Sequence, residues 1–379
     1  MKKFFSLIFA ICMALTCAFT LSACDKPSDP TTPPAQQPGT PPSHTHSYFL
    51  KTYAVDSGKA YKVKKCSCGE YEIEQELVGA IIVSPQNLVN SMLKANANTT
   101  LVLTSGDYST LSLVGKNAYP QNLTIIGTDD VVINGVSISS GIKYEQVQNC
   151  QDKTTLNQAM VEDATLNGNL MFKNISFGKT VAIKNASIDG FCLEGCEFLD
   201  GAGLVINSNV FYNDYGCDSI GVQNTNMKRG AWCYLYTKNL KVENCTFNDV
   251  SYTGNGQDSA MLIHSVDNAT IKNCVVDGAE YNALQINGVD ICKTKGTIVI
   301  ESNNFKNTED RLIRLNAIEK GSTVIIKNND LENSDIDGDS NYEIIKASVE
   351  GVEFEFVGNS YYGAPLESDD NLVIGIPQG

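Results

Sequence analysis

The chain is 379 residues long and carries a formal net charge of −15, from 28 Lys and Arg against 43 Asp and Glu. That balance excludes a nucleic-acid binder, which needs a basic footprint for phosphates, and argues against unaided attraction to anionic lipid or polyanionic glycan. The length allows one large domain or two ordinary ones, with a sizeable core in either case.

Lys2 and Lys3 precede an uncharged apolar run over residues 4–21, and the segment ends Leu21-Ser22-Ala23-Cys24. This resembles a bacterial lipoprotein signal peptide over residues 1–23, with small residues before a cysteine that is acylated and becomes the mature N-terminus. The resemblance implies lipidation of Cys24, export, and attachment to the extracytoplasmic face of the cell membrane. Such an anchor is far stronger than an amphipathic patch. The alternative is a retained transmembrane anchor, because the apolar run is close to spanning length. Cleavage would remove two lysines and no acid, taking the formal charge from −15 to −17. Residues 24–43 then hold seven of the eleven prolines. A stretch of this composition cannot bury a core and reads as an extended stalk.

Residues 44–80 read as a small module. His44-Thr-His46 opens it, and Cys66-Ser-Cys68-Gly69 follows about two strands later. Between them lie two Tyr/Val-rich stretches joined by Ser57-Gly58, the composition of a hairpin. Side chains at i and i+2 of a strand share one face. A pair of strands would therefore converge His44, His46, Cys66 and Cys68 into a structural zinc set. The segment resembles short His-x-His…Cys-Gly modules near the N-termini of exported Gram-positive proteins. Cys-x-Cys stands here where Cys-x-x-Cys is more familiar, and a metal-free hairpin is the alternative.

From residue 81 to 379 the chain is repetitive. Ser84-Pro85 is a helix start, and Leu88, Val89, Met92 and Leu93 form one apolar helical face. Residues 100–113 read as strand, Gly-Asp turn, strand. A six-residue phrase then recurs: Phe172-KNIS-Phe177, Leu193-EGCE-Phe198, Ile206-NSNV-Phe211, Val242-ENCT-Phe247, Ile271-KNCV-Val276, Ile300-ESNN-Phe305, Ile326-KNND-Leu331 and Phe356-VGNS-Tyr361. Its third residue is always Asn, Gly or Ser, which suits a bend with positive φ. The later phrases are spaced as one solenoid coil per repeat. Stacked coils would let those Asn side chains bond in a ladder. Cys196, Cys245 and Cys274 share the fourth position, where small buried residues would stack inside. A Cys245–Cys274 bridge is within Cα range, but parallel side chains disfavour it.

This succession resembles a right-handed parallel β-helix of the pectate-lyase-like type. The expected fold is thus all-β, a solenoid of about nine or ten coils whose N-terminal helix covers the open core. The stretches 142–169 and 212–238 read as inserts.

A second strand in each late coil carries the candidate chemistry. Alternation places Leu235, Ile263, Ile286 and Leu315 inward. Outward come Tyr234, Tyr236, His264, Gln285, Asn287, Arg314, Asn316 and Lys346, with Trp232, Asp258, Glu280, Glu309 and Asp310 close by in sequence. Aromatic faces beside hydrogen-bonding groups are what a sugar groove needs. Lyases on the resembled fold hold substrate on such a face, with an Arg or Lys as base and often calcium. By that resemblance Arg314 or Lys346 would be the base and His264 an acid/base. No local motif of a named lyase is present, nor the paired-Asp and Gly-His-Gly pattern of polygalacturonases, so no catalytic residue is carried over. The plain alternatives are a solvated outer face, and Arg314 as a salt-bridge partner of Glu309 or Asp310.

Asp335, Asp337 and Asp339 resemble the first half of an EF-hand calcium loop, but Ser340 replaces its glycine and Lys346 its closing glutamate. The functional expectation is a surface lipoprotein that binds a cell-surface glycan or polysaccharide. A polysaccharide lyase or glycoside hydrolase on the same groove, and a passive scaffold for a protein partner, are the rivals.

Overall fold

The computed structural model describes residues 45–115, 119–139, 165–184, 186–199, 202–207, 217–227, 231–251, 259–287, 293–334 and 343–376. Within these, only the backbone is described for residues 165–167, 187, 207, 217–219, 227 and 231–236. Cys24, His44, Asp258, Asp335, Asp337 and Asp339 lie outside the described residues, as do the signal and stalk. Among the described residues, no helix is long and apolar enough to cross a membrane.

Ser47–Gly379 form one unit. Its first element is an antiparallel sheet of three strands, Tyr48–Asp56, Lys59–Cys66 and Tyr71–Glu76. The expected Ser57-Gly58 turn joins the first two, with φ of 48° and 77°, the left-handed pair a two-residue hairpin requires. The third strand, YEIEQE, was not expected; its charged residues lie on an exposed edge, where charge discourages further pairing.

The remainder is nearly all β, built from long parallel sheets as a parallel solenoid. Three faces are traced by the strand pairings. The first runs through Thr165–Lys173, Ser187–Glu194 and Cys217–Gln223, then the C-terminal parts of Ala231–Glu243 and Met261–Lys272, and on to Thr297–Glu301, Thr323–Lys327 and Glu353–Val357. The second uses Val181–Lys184, Leu204–Asn207, the N-terminal parts of those same two long strands, Leu284–Asn287, Ile313–Asn316 and Ile345–Ser348. The third is an 11-stranded sheet in which only the final pair, Asn359–Tyr361 with Ala364–Leu366, is antiparallel.

Each inward position becomes a column. On the third face, Phe177, Phe198, Phe247 and Phe305 are fully buried in register with one another's coils. The Phe177 and Phe198 rings lie 5.1 Å apart, within the range of favourable aromatic pairs.

The bend between the first and third faces is the recurring phrase. Its third residue has positive φ in Asn174, Gly195, Asn244, Asn273, Ser302, Asn328 and Gly358, from 52° to 68°. The Ile206–Phe211 phrase is a false member. Ile206 pairs with Ile183 and Cys233 on the second face. The true coil at that level is Val222-Gln-Asn224-Thr-Asn-Met227, with Asn224 at φ 49°. Much of the expected insert 212–238 is therefore regular coil.

The residue after each bend points inward. Ile175, Cys196, Thr225, Cys245, Cys274, Asn303, Asn329 and Asn359 form this column, all at most 2% exposed. Cys245 and Cys274 form no disulfide; each thiol instead faces main-chain carbonyls, Cys245 of Val222 and Glu243, Cys274 of Val242 and Lys272. The strongest ladder is here, one place later than expected. Asn303 Nδ2 donates to Asn329 Oδ1 at 2.9 Å, and Asn329 Nδ2 to Asn359 Oδ1 at 2.9 Å. The expected ladder at the third position reduces to one exposed bond, Asn273 to Asn244, at 3.2 Å.

The helix is shorter than expected. A 3-10 turn at Pro85–Asn87 leads into Leu88–Lys94, and Ser84 makes no side-chain cap. Leu88 and Met92 enter the core, but Val89 and Leu93 are 57% and 71% exposed. One side of a two-turn helix contacts the strands, so only the i, i+4 pair is covered.

Asn329 makes four buried bonds, accepting from the Asn303 backbone N–H and amide and donating to the Ile300 carbonyl and Asn359. Asn329→Ala removes all four of these buried bonds, so we expect a loss of about 3 kcal/mol or more. Asn273→Gly, at an exposed bend that glycine also adopts, should change stability by less than about 1 kcal/mol. Denaturant unfolding of the two variants measures the difference; equal losses would contradict a structural role for the buried ladder.

Candidate functional site

The second face carries the expected strip, and the register defines it. One register column reads Trp232, Leu262, Gln285, Arg314, Lys346 and Ile374. The adjacent column reads Tyr234, His264 and Asn287 on paired strands, with Asn316 paired to Ser348 beyond them. Ile263, Ile286 and Leu315 lie inward, as alternation requires. Two positions differ from expectation. A bulge separates Tyr234 from Thr237, so Tyr236 has no partner in the register and leaves the column. For the same reason Cys233, not Leu235, occupies the register position beside Ile263.

Around Gln285 the side chains are fixed by groups the sequence did not single out. Its Oε1 accepts from the buried Ser259 hydroxyl at 3.2 Å and the buried Asn282 amide at 3.1 Å. Its Nε2 donates to Asn287 Oδ1 at 3.3 Å. The Asn287 and Asn316 amides lie 3.0 Å apart. Asn282 Oδ1 also accepts from the Arg311 backbone N–H at 3.3 Å. Gln285, Asn287 and Asn316 are partly exposed, so an ordered row of amides is presented outward.

The charges beneath this row pair internally. Arg311 bridges Asp310 at 2.7 Å and Glu343 at 2.9 Å, and all three side chains are largely buried. Arg314 lies 3.9 Å from Asp310, meets the Tyr281 hydroxyl, and has its guanidinium 5.8 Å from the Tyr281 ring centre. The expected salt bridge of Arg314 with Asp310 is thus present, and Asp310, 6% exposed, is a buried ion-pair partner rather than an open ligand. Arg311 holds the Glu343 carboxyl below the usual carboxylate range. Glu280 accepts from Ser251 at the edge of the strip. Lys346 is partly exposed in the Arg314 column.

His264 stands between Tyr234 and Asn287 in register. Burial lowers its pKa from 6.5, which favours the neutral imidazole.

In the three-stranded sheet, Tyr48 pairs with Cys66, and Cys66-Ser-Cys68-Gly69 forms a tight turn in which the Gly69 N–H donates to the Cys66 carbonyl. Ligand atoms of His46, Cys66 and Cys68 all lie within 4.8 Å of one another. These three form a candidate metal site. His46 and Cys68 are exposed and Cys66 is buried, and an imidazole with two thiolates is a donor set that suits zinc.

A scan against protein-family models finds no match, and a search of curated proteins finds none either.

A histidine with a folded pKa below its unfolded value takes up its proton on unfolding. Its contribution to stability is present above pH 6.5 and is lost as pH falls from there through the folded value. His264→Gln should therefore reduce the drop in thermal midpoint between pH 7.5 and pH 5. An undiminished drop would show that burial of His264 does not contribute.

Proposed function

We propose that this is an exported surface protein, held by a lipid on Cys24 and a proline-rich stalk, whose solenoid binds carbohydrate on its second face without cleaving it. The finer architecture we infer is a closed, right-handed parallel β-helix with the Leu88–Lys94 helix at its N-terminal end. The observation that carries the binding reading is the register of two adjacent columns. It aligns Gln285, Arg314 and Lys346 with Trp232, and Asn287 and His264 with Tyr234. Amides that both donate and accept match sugar hydroxyls, and Trp232 and Tyr234 hold the register positions at one end of the columns. Internal pairing of Asp310, Arg311 and Glu343 leaves this face polar rather than strongly charged, which fits neutral glycans in an acidic chain.

Cleavage on the same face draws less support. Arg314, the candidate base, is engaged with Tyr281 and Asp310. The most buried acids, Asp310 and Glu343, are engaged with Arg311.

On a glycan array, the full chain should be retained by one or more neutral glycans, and Gln285→Ala with Asn287→Ala should abolish that retention. Circular dichroism and the thermal midpoint of the double variant verify that the fold persists, since Gln285 also accepts from buried Ser259 and Asn282. Retention unchanged in the double variant would reject the second face as the site.

We further propose that zinc is held by His46, Cys66 and Cys68, with His44 as fourth donor. This rests on the convergence of three ligand atoms and on their soft-plus-imidazole chemistry. Metal analysis should find about one zinc per chain, as expected for a four-ligand structural site, and Cys66→Ser with Cys68→Ser should remove it. A metal-free, folded wild-type protein would overturn the assignment.

A further inference from the structure

The three-stranded sheet does not stand apart from the solenoid. Thr52 Oγ1 donates to Asp129 Oδ1 at 3.2 Å, Lys65 pairs with Asp129, and Asn174 Nδ2 reaches Thr52 Oγ1 at 3.3 Å. Ala60, Val102 and Ile126 close an apolar contact between the two parts. Beside this contact lies a cleft of about 640 Å³, within the roughly 300–1,000 Å³ usual for small-molecule sites.

The walls of the cleft bring Lys51, Tyr53 and Lys62 from the sheet against Lys173, Asn174 and Glu194 from the first solenoid face. Its charge is unbalanced. Glu194 takes up Lys173 at 2.7 Å. Glu74 is shared between Lys64 at 3.2 Å and Lys62 at 3.8 Å, and Lys51 also acts on it. The lining itself sets Lys51, Lys62 and Lys173 against the single carboxylate of Glu194. The cleft keeps an excess of positive charge in a chain whose net charge is −15.

We propose that this cleft is a second binding site, distinct from the amide columns of the second face, and that it takes a sugar ring bearing a carboxylate. The lysines supply a point-charge counterpart for one carboxylate. Among the lining residues there is no arginine fork to suit a phosphate bidentately. Tyr53, half-buried between the two walls, offers an aromatic face to the ring. Asn174 fastens the walls together through Thr52 and the Gly127 carbonyl, so the cleft is formed before a ligand arrives.

Titration calorimetry of the full chain with D-glucuronate and D-galacturonate, against glucose, galactose and inorganic phosphate, tests this. The uronates should bind in low salt, and their affinity should fall as salt is raised. Lys51→Gln with Lys62→Gln should weaken them about tenfold, the scale of one charge-assisted contact, and Lys51→Gln alone, at an exposed position, should weaken them measurably. Gln285→Ala with Asn287→Ala should leave uronate binding unchanged, whatever it does to neutral glycans. The proposal fails if neutral sugars bind as tightly as uronates, if phosphate binds more tightly than they do, if uronates do not bind, or if the lysine variants keep full affinity. Loss of uronate binding in the amide variant would move the ligand to the second face and overturn the cleft.

Discussion

A left-handed residue at one corner of successive coils sets the solenoid. At Asn174, Gly195, Asn224, Asn244, Asn273, Ser302, Asn328 and Gly358 the chain turns from the first face to the third with φ near +50° to +70°. Left-handed backbone costs an ordinary residue roughly 1–2 kcal/mol, and Gly and Asn much less. Restricting the corner to Asn and Gly, with Ser302 the exception, fixes where each coil turns. Once the corners coincide, strands on either side must pair in parallel and in register. Every column follows from that: the phenylalanines, the amides of the second face, and the charges of the first.

The corner also creates a demand for hydrogen bonds, because sheet pairing is interrupted there. Where coils are joined by Asn303, Asn329 and Asn359, the side-chain oxygen accepts the backbone N–H of the preceding coil and the nitrogen reaches a strand carbonyl. Earlier coils use Cys196, Thr225, Cys245 and Cys274 at the same place. Thiols are weak donors, so the later coils are the more firmly bonded at this corner. The outer ion pairs matter less. Lys173–Glu194, Lys272–Glu301 and Lys327–Glu301 alternate in sign along one column, but partly exposed pairs are worth about 0–1 kcal/mol each. A buried amide bonded on all sides outweighs several of them.

Most of this was legible because the bend imposes a local rule on sequence. Asn or Gly before a small residue, between apolar ends, is visible without knowing any contact. The rule misled at Ile206, where Asn-Ser-Asn mimics the corner by composition, and it passed over Asn224, where Thr225 and Met227 stand for the usual Cys or Asn and Phe. The pairing partners settle both. What could not be read was the support beneath the second face. Asn282 meets Arg311 and Tyr281 meets Arg314 across one coil, 29 and 33 residues apart. No local pattern marks such pairs, although adding one coil length to each polar residue would have brought them together. The third strand of the small sheet was hidden for another reason: its charged, exposed edge lacks the alternation that marks a strand.

Net charge and local charge favour different ligands at the two proposed sites. Beyond about 8–10 Å the acidic surface is screened by physiological salt, so it governs approach rather than contact. At contact, the second face presents amides above the ion pairs of Arg311 with Asp310 and Glu343, and with Arg314 and Lys346 beside them its balance is nearer neutral than the cleft's. The cleft has the opposite balance, Lys51, Lys62 and Lys173 against Glu194. A long polymer of acidic sugars would bring many like charges against the acidic solenoid before one unit reached the lysines. A chain end or short fragment brings only one or two, which is the form of acidic sugar this charge distribution admits.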